Sequence, residues 1–196
     1  MYLLACKYHV SNLLLSSPHM NESTNDLWRY AVITTGTHEF KTANMGFVLN
    51  QPVANIDHKQ ISKIYNLDLT LPRVQVYCGG PVQTDRCTVL HSNDYKTPKS
   101  NPFNHHCSIT FDNQIVQSIV QGRGPKHWKI MLGHCEWADG QLDAELMRPG
   151  GWSEVPWHQT AWGGYKRKDK MWRRILEQHS QQDANLFLHT VFNSND

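Results

Sequence analysis

The sequence predicts a single α+β domain. Short runs of β-forming residues are mixed with amphipathic helical segments, but without the regular strand–helix–strand rhythm of a doubly wound sheet. The chain has 196 residues, of which 39% are hydrophobic, so it is long enough to bury a core without a metal or a disulfide. The same composition excludes a disordered chain, a collagen, a coiled coil and a disulfide scaffold.

Strands are predicted where β-forming residues cluster between turn residues. The run at 30–35 ends at Gly36, and the run at 45–49 is closed by Asn50 and Pro52. By the same criterion, further strands are predicted at 13–16, 74–77, 87–91, 109–111 and 128–133.

Helices are predicted from their caps and their apolar stripes. Asp57, Asp112 and Asp169 each precede apolar residues at helical spacing, as an N-cap does. A short helix is also expected at 141–147. The remaining segments are predicted as a surface loop at 92–106 and, at 181–196, as either a packed final strand or a loose tail.

Charge and cysteine content indicate a reducing compartment and no particular partner. The formal net charge of +2 favours neither nucleic acid nor a membrane. The five cysteines are odd in number and form no C-x-x-C pair, which argues against a disulfide framework and a zinc ribbon. The N-terminal apolar residues are interrupted by polar ones, and no run reaches the roughly 18–20 apolar residues of a spanning helix. We therefore expect a soluble, cytoplasmic protein.

One candidate anion site is the turn of Gly79, Gly80 and Pro81, which follows a predicted strand. Paired glycines allow close backbone approach, and such a turn can present successive N–H groups to an anion. Arg86 is nearby and can hold a phosphate or carboxylate, or pair with Asp85. The turn lacks the pattern of a Walker loop, so a purely structural tight turn is the simpler interpretation.

Two further patterns suggest chemistry, each with a simpler alternative. One alternative is an enzyme that uses Cys87 or Cys135 as nucleophile with His91 or His134 as base. Against it, neighbouring residues on a strand, such as His134 and Cys135, point to opposite faces. The basic tract can line a nucleic-acid backbone, or can be the solvated face of an amphipathic helix with Trp172 in the core. Its cations are Lys166, Arg167, Lys168, Lys170, Arg173 and Arg174. We assign no catalytic residue and no metal ligand.

Several motifs, taken in order, resemble the YqgE/AlgH family of bacterial proteins over roughly residues 11–180. They are Met45-Gly46-Phe47-Val48-Leu49-Asn50-Gln51-Pro52, Gly79-Gly80-Pro81-Val82, Arg86, Val89-Leu90-His91, Leu132-Gly133, Trp137, Gly140-Gln141-Leu142 and Glu145. The resemblance implies a bent sheet forming a pseudo-barrel with helices packed around it. It implies no established enzymatic activity, and one branch of the family is described as a transcriptional regulator.

The resemblance suggests a ligand site formed by two segments that converge on one face of the domain. These are the turn at Gly79–Pro81 with Arg86, and the turn and helix at 137–145. Our leading hypothesis is a binding or regulatory protein, with residues 1–10 as an extension and 181–196 as a C-terminal segment. The partner stays open between a small anion, a protein carboxylate and nucleic acid; no cofactor and no membrane is expected. The predicted ligand-binding residues are Asn50, Gly79, Gly80, Arg86, His91, Trp137, Gln141 and Glu145.

Overall fold

The computed structural model describes residues 12–17, 20, 27–36, 44–53, 63 and 75–193, with side chains described up to residue 182. Within these residues the chain forms one α+β domain with nine strands, three α-helices and a short 3-10 helix, which confirms the predicted fold class. The strands are β1 (Asn12–Ser16), β2 (Val32–Gly36), β3 (Asn44–Val48), β4 (Val76–Cys78), β5 (Val82–Ser92), β6 (Ser100–Pro102), β7 (Cys107–Thr110), β8 (Trp128–Trp137) and β9 (Trp152–Pro156).

The strands form one strongly curled sheet in the order β6-β7-β5-β8-β3-β2-β1-β9. Neighbours along this path are antiparallel, whereas β4 pairs with β8 in parallel. The first half of β8 pairs with β4, and its second half pairs with β3. This long central strand therefore joins the two halves of the sheet.

Alternating side chains place apolar residues on both faces of the sheet, because successive strand residues point in opposite directions. Leu13 and Leu15 join the largest core cluster, whereas Leu14 between them joins a second cluster on the opposite face. A third cluster, around Val89 and Ile130, packs on the same sheet further along. Each cluster is covered by a helix.

The helices are α1 (Asn113–Val120), α2 (Gln141–Met147) and α3 (Lys168–Asn193), with the 3-10 helix at Gln159–Trp162. As predicted, the Asp112 side chain caps α1 by accepting a hydrogen bond from the Gln114 N–H. In α3, Trp172 is buried and its indole N–H donates to the Ser16 carbonyl at 2.9 Å. None of the described helices combines the length and apolarity needed to cross a bilayer.

Five predicted features differ from the structure. The strand predicted at 87–91 begins at Val82. The strand predicted to stop at 133 continues to Trp137, because Gly133 adopts a positive φ of 68° within the strand. The predicted loop at 92–106 contains β6, and its Phe103 is buried in the core. Asp169 is not the cap of α3 but lies in its first turn. Residues 181–193 continue α3, so they form neither a strand nor a loose tail.

Two predictions fall on residues that the structure does not describe. The helix predicted after Asp57 lies outside them, apart from Lys63, which is helical. The predicted N-terminal extension at 1–10, with Cys6, also lies outside them.

Candidate functional site

A bulge in β5 creates the first pocket. Val82 pairs with His134 of β8, but the next pair is Cys87 with Leu132, so the intervening residues of β5 have no partners on β8. Gln83 takes a positive φ of 51°, and residues 83–86 are exposed. Bulges of this kind re-aim side chains and are common beside binding sites.

The bulge holds Arg86 at a pocket of about 220 Å³, which we call the bulge pocket. Gly133 contributes to its lining, and the other lining residues are Met45, Gln83, Arg86, Thr88, Phe111 and His134. Within the described part of the chain, no carboxylate forms an ion pair with Arg86. The pocket therefore offers a guanidinium, an amide, a hydroxyl and an imidazole beside two apolar side chains, which is a donor set suited to an anionic group.

The glycines under the bulge serve close packing. The Gly79 N–H donates to the Leu132 carbonyl at 2.7 Å, and the Gly79 carbonyl accepts from the Val48 N–H at 2.9 Å. A Cβ added to Gly80 would lie 2.2 Å from the His134 carbonyl carbon. These contacts fix the turn against β8, and they leave the Gly79 N–H engaged within the sheet instead of facing a ligand.

Asn50 is buried, and its side chain forms hydrogen bonds with three separate segments of the chain. Its Oδ1 accepts from the Val32 N–H at 2.9 Å. Its Nδ2 donates to the carbonyls of Tyr30 and Lys168, each at 2.7 Å. The side chain therefore joins β2 to the start of α3, and it is not among the residues that line the bulge pocket.

His91 is fully buried near the C-terminal end of β5, apart from the other predicted site residues. Its Nε2 lies 3.3 Å from the Ser100 hydroxyl, and its Nδ1 lies 3.0 Å from the Ser92 carbonyl. Burial lowers the pKa of His91, and the Ser92 carbonyl and Asp94 charge partly offset this effect. His91 was predicted as a ligand-binding residue, but the structure does not place it in the lining of the bulge pocket.

Trp137, Gln141 and Glu145 meet in a second pocket of about 410 Å³ between the end of β8, α2 and the start of β9. We call it the tryptophan pocket, because Trp28, Trp137 and Trp152 line it together with Pro81 and Glu145. The Glu145 Oε2 accepts both indole N–H groups, from Trp137 at 3.0 Å and Trp152 at 2.9 Å. The sequence analysis expected one ligand site on a single face, whereas the structure has two pockets. Arg86 lines one of them and Glu145 lines the other.

Of the thiols proposed as nucleophiles, Cys135 is buried and Cys87 is half-buried. Burial raises the pKa of Cys87 to about 12. It also raises the pKa of Cys135, whose Sγ donates to the Gly79 carbonyl at 3.5 Å. A thiol nucleophile needs its thiolate form near neutral pH, so these environments argue against cysteine catalysis at either residue. Among the described residues, no group of three or more His, Cys, Asp and Glu side chains is placed to hold a metal ion.

The basic tract lies at the start of α3 and on the loop before it. Lys166, Arg167, Lys170, Arg173 and Arg174 are exposed, and Lys168 is half-buried. Asp169 pairs with Arg167 at 2.8 Å and with Arg173 at 3.4 Å, which offsets part of the positive charge.

Two residues that the sequence did not single out join this surface. The guanidinium groups of Arg29 and Arg173 both lie 5.5 Å from the Tyr30 ring centroid. Arg29 precedes β2 and is more than a hundred residues away from the tract along the chain, so only the fold could reveal it.

Lys129 is a further residue that sequence reasoning missed. Its side chain is buried, and its Nζ donates to the Gly163 carbonyl at 2.9 Å and lies 4.1 Å from the Tyr77 ring centroid. Burial lowers the pKa of Lys129 to about 7. The sequence did contain a signal for it, because Lys129 is a charged residue within a run of mostly apolar residues in β8.

Comparison with known proteins identifies relatives along most of the chain. The AlgH-like family model (DUF179) matches residues 13–184. A UPF0301 protein of Rickettsia akari is 33% identical over 139 residues, which cover 70% of this chain and 72% of the relative. A UPF0301 protein of Allorhizobium ampelinum is 39% identical over 121 residues, covering 57% and 59% of the two chains.

Two solved structures share the fold. The solution structure of the AlgH protein from Pseudomonas aeruginosa matches with a TM-score of 0.66 at 23% identity, covering 100% of this chain and 98% of that one. A crystal structure of a protein from Corynebacterium diphtheriae matches with a TM-score of 0.63 at 17% identity, covering 86% of each chain. With the family match over residues 13–184 and the shared fold, this chain belongs to the AlgH-like (UPF0301) family.

Proposed function

We propose that this chain is a non-enzymatic binding protein with a regulatory role in the cytoplasm, and that its bulge pocket binds a carboxylate or phosphate group. The observation that carries the proposal is the position of Arg86, exposed on the bulge beside His134 and without an ion-pair partner among the described residues. Arginine binds planar or tetrahedral oxyanions through two N–H groups at once, which suits this arrangement.

The surroundings of Arg86 support a regulatory binder more than an enzyme. The pocket contains a guanidinium and an imidazole, but the nearby thiol of Cys87 is held protonated by burial, which raises its pKa to about 12. The four described cysteines are free thiols, as expected of a protein in a reducing compartment.

The test is a thermal-shift titration with inorganic phosphate and succinate at constant ionic strength. A ligand at about 100 times its Kd adds about 2.7 kcal/mol, which raises the Tm of a domain this size by several degrees. Arg86→Ala should abolish the shift. Arg123→Ala is the matched control, because Arg123 is exposed but lines neither pocket, and it should keep the shift. An unshifted wild type, or an equal shift in Arg86→Ala, would contradict the proposal.

A second candidate function is nucleic-acid binding through the basic tract, favoured by the position of Arg29 and Tyr30 beside Arg173. The Tyr30 ring holds Arg29 close to Arg173, so the tract gains a further cation that can contact the phosphates of a duplex. Binding of a short duplex should then weaken steeply with salt.

The matched comparison is between two double variants. Lys170→Ala with Arg174→Ala should lower the affinity, and should reduce the slope of log affinity against log salt by about 0.9 for each phosphate that is no longer neutralised. Lys99→Ala with Lys126→Ala removes two exposed cations outside the tract and should change little. Binding that is indifferent to salt would exclude this function.

A further inference from the structure

The tryptophan pocket has three aromatic walls from separate parts of the chain. Trp28 precedes β2, Trp137 ends β8 and Trp152 begins β9. The rings of Trp28 and Trp152 meet edge to face, with centroids 5.7 Å apart and planes at 85°. The volume of about 410 Å³ is in the range of small-molecule sites. Such a recess attracts cations, because the faces of indole rings carry partial negative charge.

The charge inside the pocket is negative. Glu145 and Glu136 line it, and Arg148 is the one cation among its described lining residues. Within the described part of the chain no cationic side chain forms an ion pair with Glu145, so its charge is held in place without being neutralised. An anion is therefore disfavoured here, in contrast to the bulge pocket.

The hydrogen bonds of Glu145 restrict which cation fits. A carboxylate has about four acceptor positions. Two indole N–H groups donate to Oε2, and the Gln141 Nε2 donates to Oε1 at 2.8 Å. One position is then left, whereas a primary ammonium brings three donors and a guanidinium needs two acceptors side by side. A cation without N–H groups keeps the electrostatic attraction and leaves no donor unpaired.

We propose that the tryptophan pocket is a binding site for a small molecule that carries a quaternary, fully methylated ammonium group. The three tryptophans contact the methyl groups, and the fixed carboxylate of Glu145 supplies the opposite charge. This site is separate from the anion site proposed at Arg86. The volume favours a free small molecule over a methylated side chain of a protein.

The experiment is isothermal titration of the full chain with choline, and with 3,3-dimethylbutan-1-ol, its neutral isostere. Choline should bind at least about tenfold tighter than the isostere, as expected for a desolvated cation–π contact with a nearby carboxylate. It should also bind more tightly than ethanolamine, whose three N–H donors exceed the one acceptor position left on Glu145. Equal affinity for choline and the isostere, or no choline binding at all, would overturn the proposal.

The variants separate recognition of charge from loss of structure. Glu145→Gln should lower choline affinity about tenfold and leave the affinity for the isostere unchanged. Trp28→Leu alters a half-buried wall that donates no hydrogen bond to Glu145, and it should also lower choline affinity in a variant that still unfolds cooperatively. Glu177→Gln, on the exposed face of α3, is the control and should bind as the wild type does.

Two further outcomes count against the proposal. Unchanged choline affinity in a folded Glu145→Gln or Trp28→Leu variant would place the binding elsewhere. A peptide containing trimethyllysine that binds when choline does not would assign the group to a protein partner, and would overturn the small-molecule assignment.

Discussion

At the scale of single residues, several family-motif positions serve the structure directly. Asn50 satisfies one N–H and two carbonyls from three segments, and Gly79 and Gly80 let the chain cross closely under β8. The family motifs drew attention to these residues, but the sequence could not distinguish a role in packing from a role in ligand binding. That distinction depends on hydrogen-bond partners that are distant along the chain.

Asn50→Ala is expected to lower the free energy of unfolding by about 2–4 kcal/mol, because it takes the acceptor from the buried Val32 N–H and removes the amide donor that joins the carbonyls of Tyr30 and Lys168. Urea denaturation measures the loss. Gln117→Ala, at an exposed position of α1, should change stability by less than about 0.5 kcal/mol. A loss in Asn50→Ala as small as that of the control would show that the hydrogen bonds of Asn50 contribute little to stability.

Lys129 gives the pH dependence of stability a specific sign. The unfolded chain keeps this proton up to pH values near 10.5, whereas burial lowers the pKa of Lys129 in the folded chain to about 7. Above pH 7 folding therefore releases a proton, and the folded state gains up to about 1.4 kcal/mol per pH unit as the pH rises toward 10.

Lys129→Met should remove this gain. The variant should be more stable than the wild type at pH 6, because a buried cation has been replaced by an apolar side chain, and its advantage should shrink as the pH rises. Urea denaturation at pH 6, 7.5 and 9 measures the difference, in which other titrating groups cancel. Lys126→Met, at an exposed lysine, should run parallel to the wild type. Parallel curves for Lys129→Met would contradict the lowered pKa.

At the scale of secondary-structure elements, the sequence predicted the central residues of helices and strands better than their ends. Apolar residues at helical spacing identified α1 and the start of α3, and clusters of β-forming residues identified most strands, because these patterns reflect which residues are buried. β6 and β9 were both missed, since they are short strands at the two edges of the sheet. The end of β8 was misjudged because Gly133 ordinarily marks a turn, whereas here its positive φ accommodates the bulge of the neighbouring strand.

The bulge should depend on the absence of a side chain at Gly133. A Cβ there would lie 2.6 Å from the Gly80 carbonyl oxygen and 2.8 Å from the Val82 oxygen. Gly140 has a similar positive φ of 72°, but a Cβ added to it would meet no atom within 4 Å. The pair therefore separates backbone strain from steric contact.

Gly140→Ala is expected to lower the free energy of unfolding by about 1–2 kcal/mol, the usual penalty of left-handed backbone for an L-residue. Gly133→Ala should lose at least about 3 kcal/mol and should also abolish phosphate binding in the bulge pocket, since the bulge must shift. Denaturation and thermal-shift titration measure both effects. Equal losses in the two variants would mean that β5 and β8 relax around the added methyl group.

At the scale of the whole molecule, the sheet is shared by cores on both of its faces. Trp172 of α3 packs in the largest cluster, whereas Trp137 and Trp152 pack in the cluster on the opposite face. The strands between them supply alternate residues to both. The sequence predicted the α+β class, and the family resemblance added the bent sheet, but neither revealed that the two pockets would carry opposite charge. That arrangement depends on the tertiary fold, because Arg86 lies on β5 and Glu145 lies on α2, and the two side chains line different pockets.

Because one set of strands supports both cores, we expect the described domain to unfold in a single cooperative transition. Leu14 and Leu15 are adjacent on β1, and both are fully buried, yet they belong to opposite clusters. Leu14→Ala and Leu15→Ala should each lower the free energy of unfolding by about 2–5 kcal/mol. In both variants, far-ultraviolet circular dichroism and tryptophan fluorescence should report the same midpoint. If Leu14→Ala moved the fluorescence midpoint and left the circular dichroism midpoint in place, the two cores would be separate folding units, and a ligand in the tryptophan pocket could stabilise only one of them.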